Sequence, residues 1–97
     1  MESLSNLKKF YKNKKIFITG HTGFKGTWLS IILYHLNSKI YGYSLTPKKN
    51  SLFKKSNIKD KLNSNTYADI RNIKDLKKKI NISKPEIIFH LAAQPLV

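Results

Sequence analysis

The chain has no cysteine, only four glycines and three prolines, and five acidic residues in a length of 97. Without cysteine there is no disulfide framework, no thiolate metal site and no cysteine nucleophile. No cluster of His and carboxylates has metal-ligand spacing either. No stretch approaches the roughly eighteen apolar residues that span a bilayer, and Met1–Phe10 has no apolar signal region, so a soluble, unexported, cytoplasmic chain is expected. With 40% hydrophobic residues and no repeat, the composition is that of a globular protein. The length admits one domain with a modest core.

The shortage of acids leaves a formal charge of +14. Such a field draws in phosphate polymers or acidic membrane surfaces. However, the basic residues are lysines scattered from Lys8 to Lys84, with Arg71 as the lone arginine. Base readers rely on arginine forks interleaved with aromatics, so a solvated surface is the expectation and a nucleic-acid partner is not. A small Lys-rich polyanion-binding module stands as the rival reading, distinguished by saturable, salt-sensitive binding to duplex DNA.

What the chain does have is concentrated in residues 14–26. The apolar run Ile16-Phe17-Ile18 leads into Gly20, Gly23 and Gly26, three glycines spaced three apart. An amphipathic segment starts among them, which makes the layout strand, turn, helix. Gly20 suits the positive φ of a sharp strand exit, Gly23 a close approach of backbone to a diphosphate, and Gly26 tight packing of the helix against the strand. The helix N-terminus then presents unpaired N–H groups to an anion.

Residues 1–13 read as a polar arm or short helix, and 14–97 as one α/β unit. Strand one runs over 14–19, a helix over 24–36, with Trp28 as one of its packing residues, and strand two over 39–45. A surface connection over 46–64 holds short helical turns near Leu52-Phe53 and Ile58–Leu62, and a third strand covers 65–68. Asn72 caps a helix running to about Ile82, and Pro85 precedes a fourth strand at 86–91, expected to be buried on both faces. Right-handed crossovers make this half of a doubly wound parallel sheet in the order 3-2-1-4. With no outer neighbour for strand four and one sheet face without helices, marginal stability is expected.

Ligands of such sheets sit at the carboxyl ends of the strands. Three segments converge there: the Gly20–Gly26 turn, Ala68-Asp69-Ile70, and Leu91-Ala92-Ala93-Gln94. Asp69 can accept from an adenine amino group or simply favour a helix start, and Ala92 and Ala93 leave room for a flat ligand or for close packing. His21 reads as a residue ordering the turn, and His90 as a satisfied core imidazole. Tyr11 and Lys15 have Tyr-x-x-x-Lys spacing but precede the first strand, so the match is put down to chance.

The strings Ile18–Ser30 (ITGHTGFKGTWLS), Gly42–Leu45, Asp69–Arg71 and Lys84–Val97 (KPEIIFHLAAQPLV) resemble the extended short-chain dehydrogenase/reductases, and within them the nucleotide-sugar dehydratases. The resemblance implies a Rossmann-type domain with bound NAD and a lyase acting on a nucleotide sugar, CDP-glucose. It implies transient oxidation at C4 of the sugar, loss of water across C5 and C6, and reduction at C6. It places Gly20, Thr22, Gly23, Phe24, Lys25 and Gly26 at the diphosphate, Asp69 and Ile70 at the adenine, and Leu91, Ala92 and Ala93 along the ribose and nicotinamide. A related epimerase or dehydratase of another sugar stands as the alternative, against which the Gln94-Pro95-Leu96-Val97 ending argues by likeness, and a homo-oligomer of the longer enzyme fits the family.

Two departures stand out. No acidic residue lies between Glu2 and Asp60, so the usual acceptor for the adenosine ribose hydroxyls is missing and Thr46 stands in its place. Lys48 and Lys49 nearby favour a 2′-phosphate, hence NADP, whereas the resemblance favours NAD. The family's reactive groups, a Ser/Thr, a dehydrating acid and a Tyr-x-x-x-Lys pair, belong beyond Val97. The expectation is therefore a cofactor-binding portion without catalytic residues of its own.

Overall fold

A computed structural model of the chain describes residues 2–92. The elements are α1 (Glu2–Tyr11), β1 (Lys15–Thr19), α2 (Phe24–His35), β2 (Lys39–Ser44), α3 (Leu52–Ser56), a 3-10 turn at Ile58–Lys61, β3 (Ser64–Tyr67), α4 (Ile73–Ser83) and β4 (Ile87–His90). The four strands form one parallel sheet in the order β3-β2-β1-β4. This is the expected half of a doubly wound sheet, and the N-terminal arm is a full helix.

Strand alternation divides the core between two faces. Ile16 and Ile18 on β1 pair in register with Ile40 and Gly42 on β2 and with Ile87 and Phe89 on β4. On that face Ile16, Ile18, Ile40, Leu33 and Leu36 pack together. α3 and the 3-10 turn add Phe53 and Ile58, both buried. The connection over 46–64 is thus anchored in the core as well as running over the surface. On the opposite face Phe17 lies beside Tyr43, with ring centroids 6.1 Å apart, and α4 packs there. Helices therefore occur on both faces, contrary to the expectation of a bare one.

Two sequence expectations give way here. α2 turns Gly26, Thr27, Ser30 and Leu33 to the interior, and leaves Phe24, Trp28 and Ile32 outward at 70%, 47% and 53% exposure. The small residues allow the helix backbone close to the sheet, so Trp28 is not a core residue. β4 is not buried on both faces: Ile88 is 51% exposed and His90 is exposed. It is an edge strand of the described sheet, and only its Ile87 and Phe89 side meets the core.

The cap at Asn72 is as expected, its side chain accepting from the backbone N–H of Asp75 at 3.3 Å. Asp75 also accepts from the hydroxyl of Tyr43 at 2.7 Å, which ties the sheet to the first turn of α4. Burial, then Asp75, push the Tyr43 phenol up to about 12. An unfolded phenol titrates near 10, so this contribution is complete below pH 10 and is lost as pH rises from there through about 12. Tyr43→Phe should cost roughly 1.5–3 kcal/mol at neutral pH, the worth of a hydrogen bond to a charged group. Denaturant midpoints between pH 8 and 11 should show a steeper fall for the native chain than for the variant.

Candidate functional site

The sheet is parallel, so the carboxyl ends of all its strands open on one side, and the turn after β1 lies at their centre. Gly20 leaves β1 with φ +81, a conformation that side chains oppose. Its N–H donates to the Tyr43 carbonyl at 2.9 Å and its carbonyl accepts from Gly23 N–H at 3.2 Å. A Cβ at Gly20 would stand 2.6 Å from Ala92 N, and one at Gly26 would overlap the Gly20 carbonyl oxygen and lie 2.7 Å from His21 Cα. Gly26 therefore packs against the turn itself more than against the strand. The Thr27 hydroxyl donates to the His21 carbonyl at 3.0 Å, which fixes α2 to the turn, and the Ser30 hydroxyl donates within the helix to the Gly26 carbonyl at 2.8 Å.

Gly23 is different. Its φ of −75 suits any residue, and an added Cβ would meet only the Gly20 oxygen, at an ordinary 3.5 Å. Neither strain nor packing within the chain requires a glycine there. Gly23 is exposed and lies on the wall of the open side, where an anion on the turn would approach. As N-cap of α2 it offers no side-chain cap, and the first turn of α2 carries no acid. The leading amides and the positive end of the helix dipole are thus free for an anion.

Around this turn lies a cleft of about 690 Å³, lined by Gly20, Thr22, Gly23 and Phe24, by the exits of β2 and β3, and by Leu91 and Ala92 after β4. The structure brings eight of the eleven sequence candidates to its wall. Lys25 and Gly26 are off it, Gly26 acting through packing, and Ala93 lies outside the described residues. Sequence reading missed much of the β2 exit, where Ser44, Leu45, Pro47, Ser51 and Leu52 join Thr46 and Lys48 on the wall. Topology held the signal, since the strand next to β1 must end beside the turn. The Thr22 hydroxyl donates to the Leu45 carbonyl at 3.0 Å, so the 2.7 Å contact between Thr22 and Ser44 has the Ser44 hydroxyl as donor.

Asp69 reaches the cleft with its carboxylate already engaged. It accepts from Arg71 backbone N–H at 2.9 Å, and the Arg71 side chain grips both oxygens, Nη2 to Oδ2 at 2.6 Å. Hydrogen bonds from the Arg71 side chain, then from its backbone N–H, hold the Asp69 carboxyl below the usual carboxylate range. It stays an ionised acceptor, yet an adenine amino group would share oxygens that Arg71 occupies.

His90 corrects the reading of a core imidazole. It is exposed, and its Nδ1 lies 2.6 Å from the Thr19 hydroxyl, which also accepts from Ala92 N–H at 3.3 Å. The pair ties the exit of β4 to the end of β1. His21 is the wholly buried imidazole, its Nε2 lying 2.6 Å from Asn65 Oδ1 on β3. Tyr11 ends α1 and Lys15 begins β1, so their spacing builds no shared helical face.

The arrangement offers an anion a place at the turn. Main-chain amides serve the charge, a glycine without Cβ admits it, and small or apolar walls extend to either side. Among the described residues no group of three or more His, Cys, Asp or Glu is placed to hold a metal ion. No helix of the described residues is long and apolar enough to cross a membrane.

Residues 17–97 match the family described as GDP-mannose 4,6 dehydratase. The chain is 46% identical over 91 residues to the CDP-glucose 4,6-dehydratase of Salmonella typhimurium strain LT2, an alignment covering 93% of this chain and 25% of that protein. It thus spans about a quarter of the length of the curated relative it matches. A crystal structure of a protein assigned as an epimerase, from Burkholderia cenocepacia J2315, superimposes with a TM-score of 0.68 at 20% identity, covering 87% of this chain and 26% of that one. That likeness concerns the fold alone.

Proposed function

We propose that this chain, which belongs to the GDP-mannose 4,6 dehydratase family, forms the dinucleotide-holding portion of a nucleotide-sugar dehydratase, with CDP-glucose as the sugar nucleotide and NAD as the cofactor. The observation that carries this is the glycine turn itself. Gly20 and Gly26 are demanded by the turn's own geometry, while Gly23, which that geometry does not require to be glycine, lies on the cleft wall. The 46% identity to a CDP-glucose 4,6-dehydratase supports the choice of sugar nucleotide.

In this reading the amides that open α2 hold the diphosphate, with Thr22, Phe24 and Lys25 around them. Asp69 and Ile70 border the adenine, and Leu91, Ala92 and Ala93 run beside the ribose and nicotinamide. Bound there, a nicotinamide dinucleotide supplies reversible oxidation at C4 of the sugar, which makes elimination of water across C5 and C6 feasible. The chain's residues bind and orient; none is assigned a catalytic role, and dehydration needs groups outside these 97 residues. Incubation with CDP-glucose and NAD should therefore give no 4-keto sugar, while titration calorimetry should show saturable 1:1 binding of ADP. A 4-keto product would overturn the division of labour, and absence of ADP binding by the folded chain would overturn the site.

One observation favours NADP over NAD. The β2 exit presents Thr46 and Lys48 to the cleft and no carboxylate, a composition suited to a 2′-phosphate. Comparing NADP with NAD, which differ only in the 2′-phosphate, decides between them: equal or weaker binding of NADP supports NAD, and tighter binding replaces it with NADP.

A further inference from the structure

The turn is held from behind by a residue that never reaches the cleft. The His21 ring is fully buried, and it lies where a Cβ on Gly42 would stand, so the glycine of β2 exists in register beside Ile18 to make room for it. Nε2 faces Asn65 Oδ1 at 2.6 Å, and since that oxygen only accepts, the ring is the Nε2–H tautomer. Nδ1 has no hydrogen-bond partner among the described residues. The ring meets Phe53 of α3 edge to face at 5.2 Å, while the His21 carbonyl accepts from Thr27 of α2. One residue thus joins the turn to β2, β3, α2 and α3.

We infer that His21 is a positioning residue for the diphosphate-binding turn, locking Gly20–Gly26 to the adenosine side of the sheet through Asn65, Gly42 and Phe53. This rests on the dinucleotide reading of the cleft. A core filler of equal volume would pack in the slot, but it would supply neither the directional bond to Asn65 nor a fixed tilt of the turn. Burial, which favours the neutral ring, lowers the imidazole pKa against the pull of Asn65. Asn65, Gly42 and Phe53 are all absent from the cleft wall, so none of them touches a ligand there directly.

The test uses the 97-residue chain with ADP and adenosine as probes and Asn65→Ala, His21→Leu and Gly42→Ala as variants. In Asn65→Ala the dissociation constant for ADP should rise about tenfold, the scale of one lost buried hydrogen bond. Adenosine, which does not use the turn, should bind as before, and amide exchange over residues 20–26 should quicken. His21→Leu and Gly42→Ala should show the same split. A folded Asn65→Ala chain with unchanged ADP affinity and unchanged exchange in the turn overturns the inference. If the native chain binds no ADP, the dinucleotide reading fails; the exchange rates still judge His21, and unaltered turn amides in Asn65→Ala overturn its role. Should the variants not fold, the native ring gives the answer by nitrogen NMR. A fixed Nε2–H signal that shifts on adding ADP supports the inference, and a mixed tautomer or an unmoved signal overturns it.

Discussion

Gly26→Ala should lose ADP binding by at least about 100-fold and lower the melting temperature by roughly 10 °C. The added methyl would overlap the Gly20 carbonyl oxygen and approach His21 Cα and Gly20 C to 2.7 and 2.8 Å. All three are backbone atoms, so no flexible side chain can swing aside. The only relief is to move α2 off the turn, breaking the Thr27 hydroxyl bond to the His21 carbonyl that holds it there. Forcing bulk into a packed site costs about 1–3 kcal/mol, and each kcal/mol moves the melting point of a domain this size by roughly 4–8 °C. A displacement near 1 Å of the amides that hold a ligand can cost about 100-fold in function. Gly23→Ala separates the two effects. Its methyl meets only the Gly20 oxygen at 3.5 Å, so stability should fall by less than about 1 kcal/mol, the loss of a glycine N-cap. ADP affinity should nonetheless drop about tenfold or more, because the methyl stands on the cleft side. Calorimetric melting and ADP titration of both variants check the pair. Native-like ADP binding by Gly26→Ala, or a Gly23→Ala chain that loses stability while binding ADP normally, would overturn the account of the turn.

The division between what could be read from the sequence and what could not follows the range of the interactions involved. Gly20, Gly23 and Gly26 announced the turn because strand exit, anion approach and close packing are local demands, legible within seven residues. Asn72 announced α4 for the same reason, as its cap closes onto Asp75 three residues on. The strand order followed from right-handed crossovers once four strands were placed. By contrast, His21 finds its partner 44 residues away in Asn65, and Thr19 finds His90 across 71. No spacing rule reaches that far. Asp69 and Arg71 were only two apart, yet the chelating fork between them depends on the turn after β3, and the adenine role suggested for Asp69 took no account of it. The β2 exit escaped notice because its wall residues, such as Leu45 and Pro47, carry no chemistry that marks them singly. They matter through where β2 stops.

α2 shows the opposite failure, in which a pattern was present but pointed nowhere. Its apolar residues fall almost all around the axis, so periodicity selects no face. Size decided instead: the helix approaches the sheet on the side where Gly26, Thr27 and Ser30 let it come close. Ile18→Ala and Trp28→Ala should therefore have effects in the reverse order of their side-chain bulk. Ile18 is fully buried on β1, between Gly42 and Phe89 in register, one residue before Thr19 and the turn. Removing its three methyl and methylene carbons should cost about 2–5 kcal/mol through lost transfer energy and the cavity left behind. Against a domain stability of about 5–15 kcal/mol, with an edge strand leaving Ile88 half in solvent, that removes a large share of the total. Trp28, at 47% exposure and with the edge of Phe24 at 6.5 Å as its aromatic neighbour among the described residues, should cost less, about 1–2 kcal/mol, when truncated. Urea titrations followed by far-ultraviolet circular dichroism read both directly. A Trp28→Ala midpoint below that of Ile18→Ala would mean that α2 sits on the sheet by its aromatic flank, which would also carry Gly26 away from the turn and dissolve the anion site built on it.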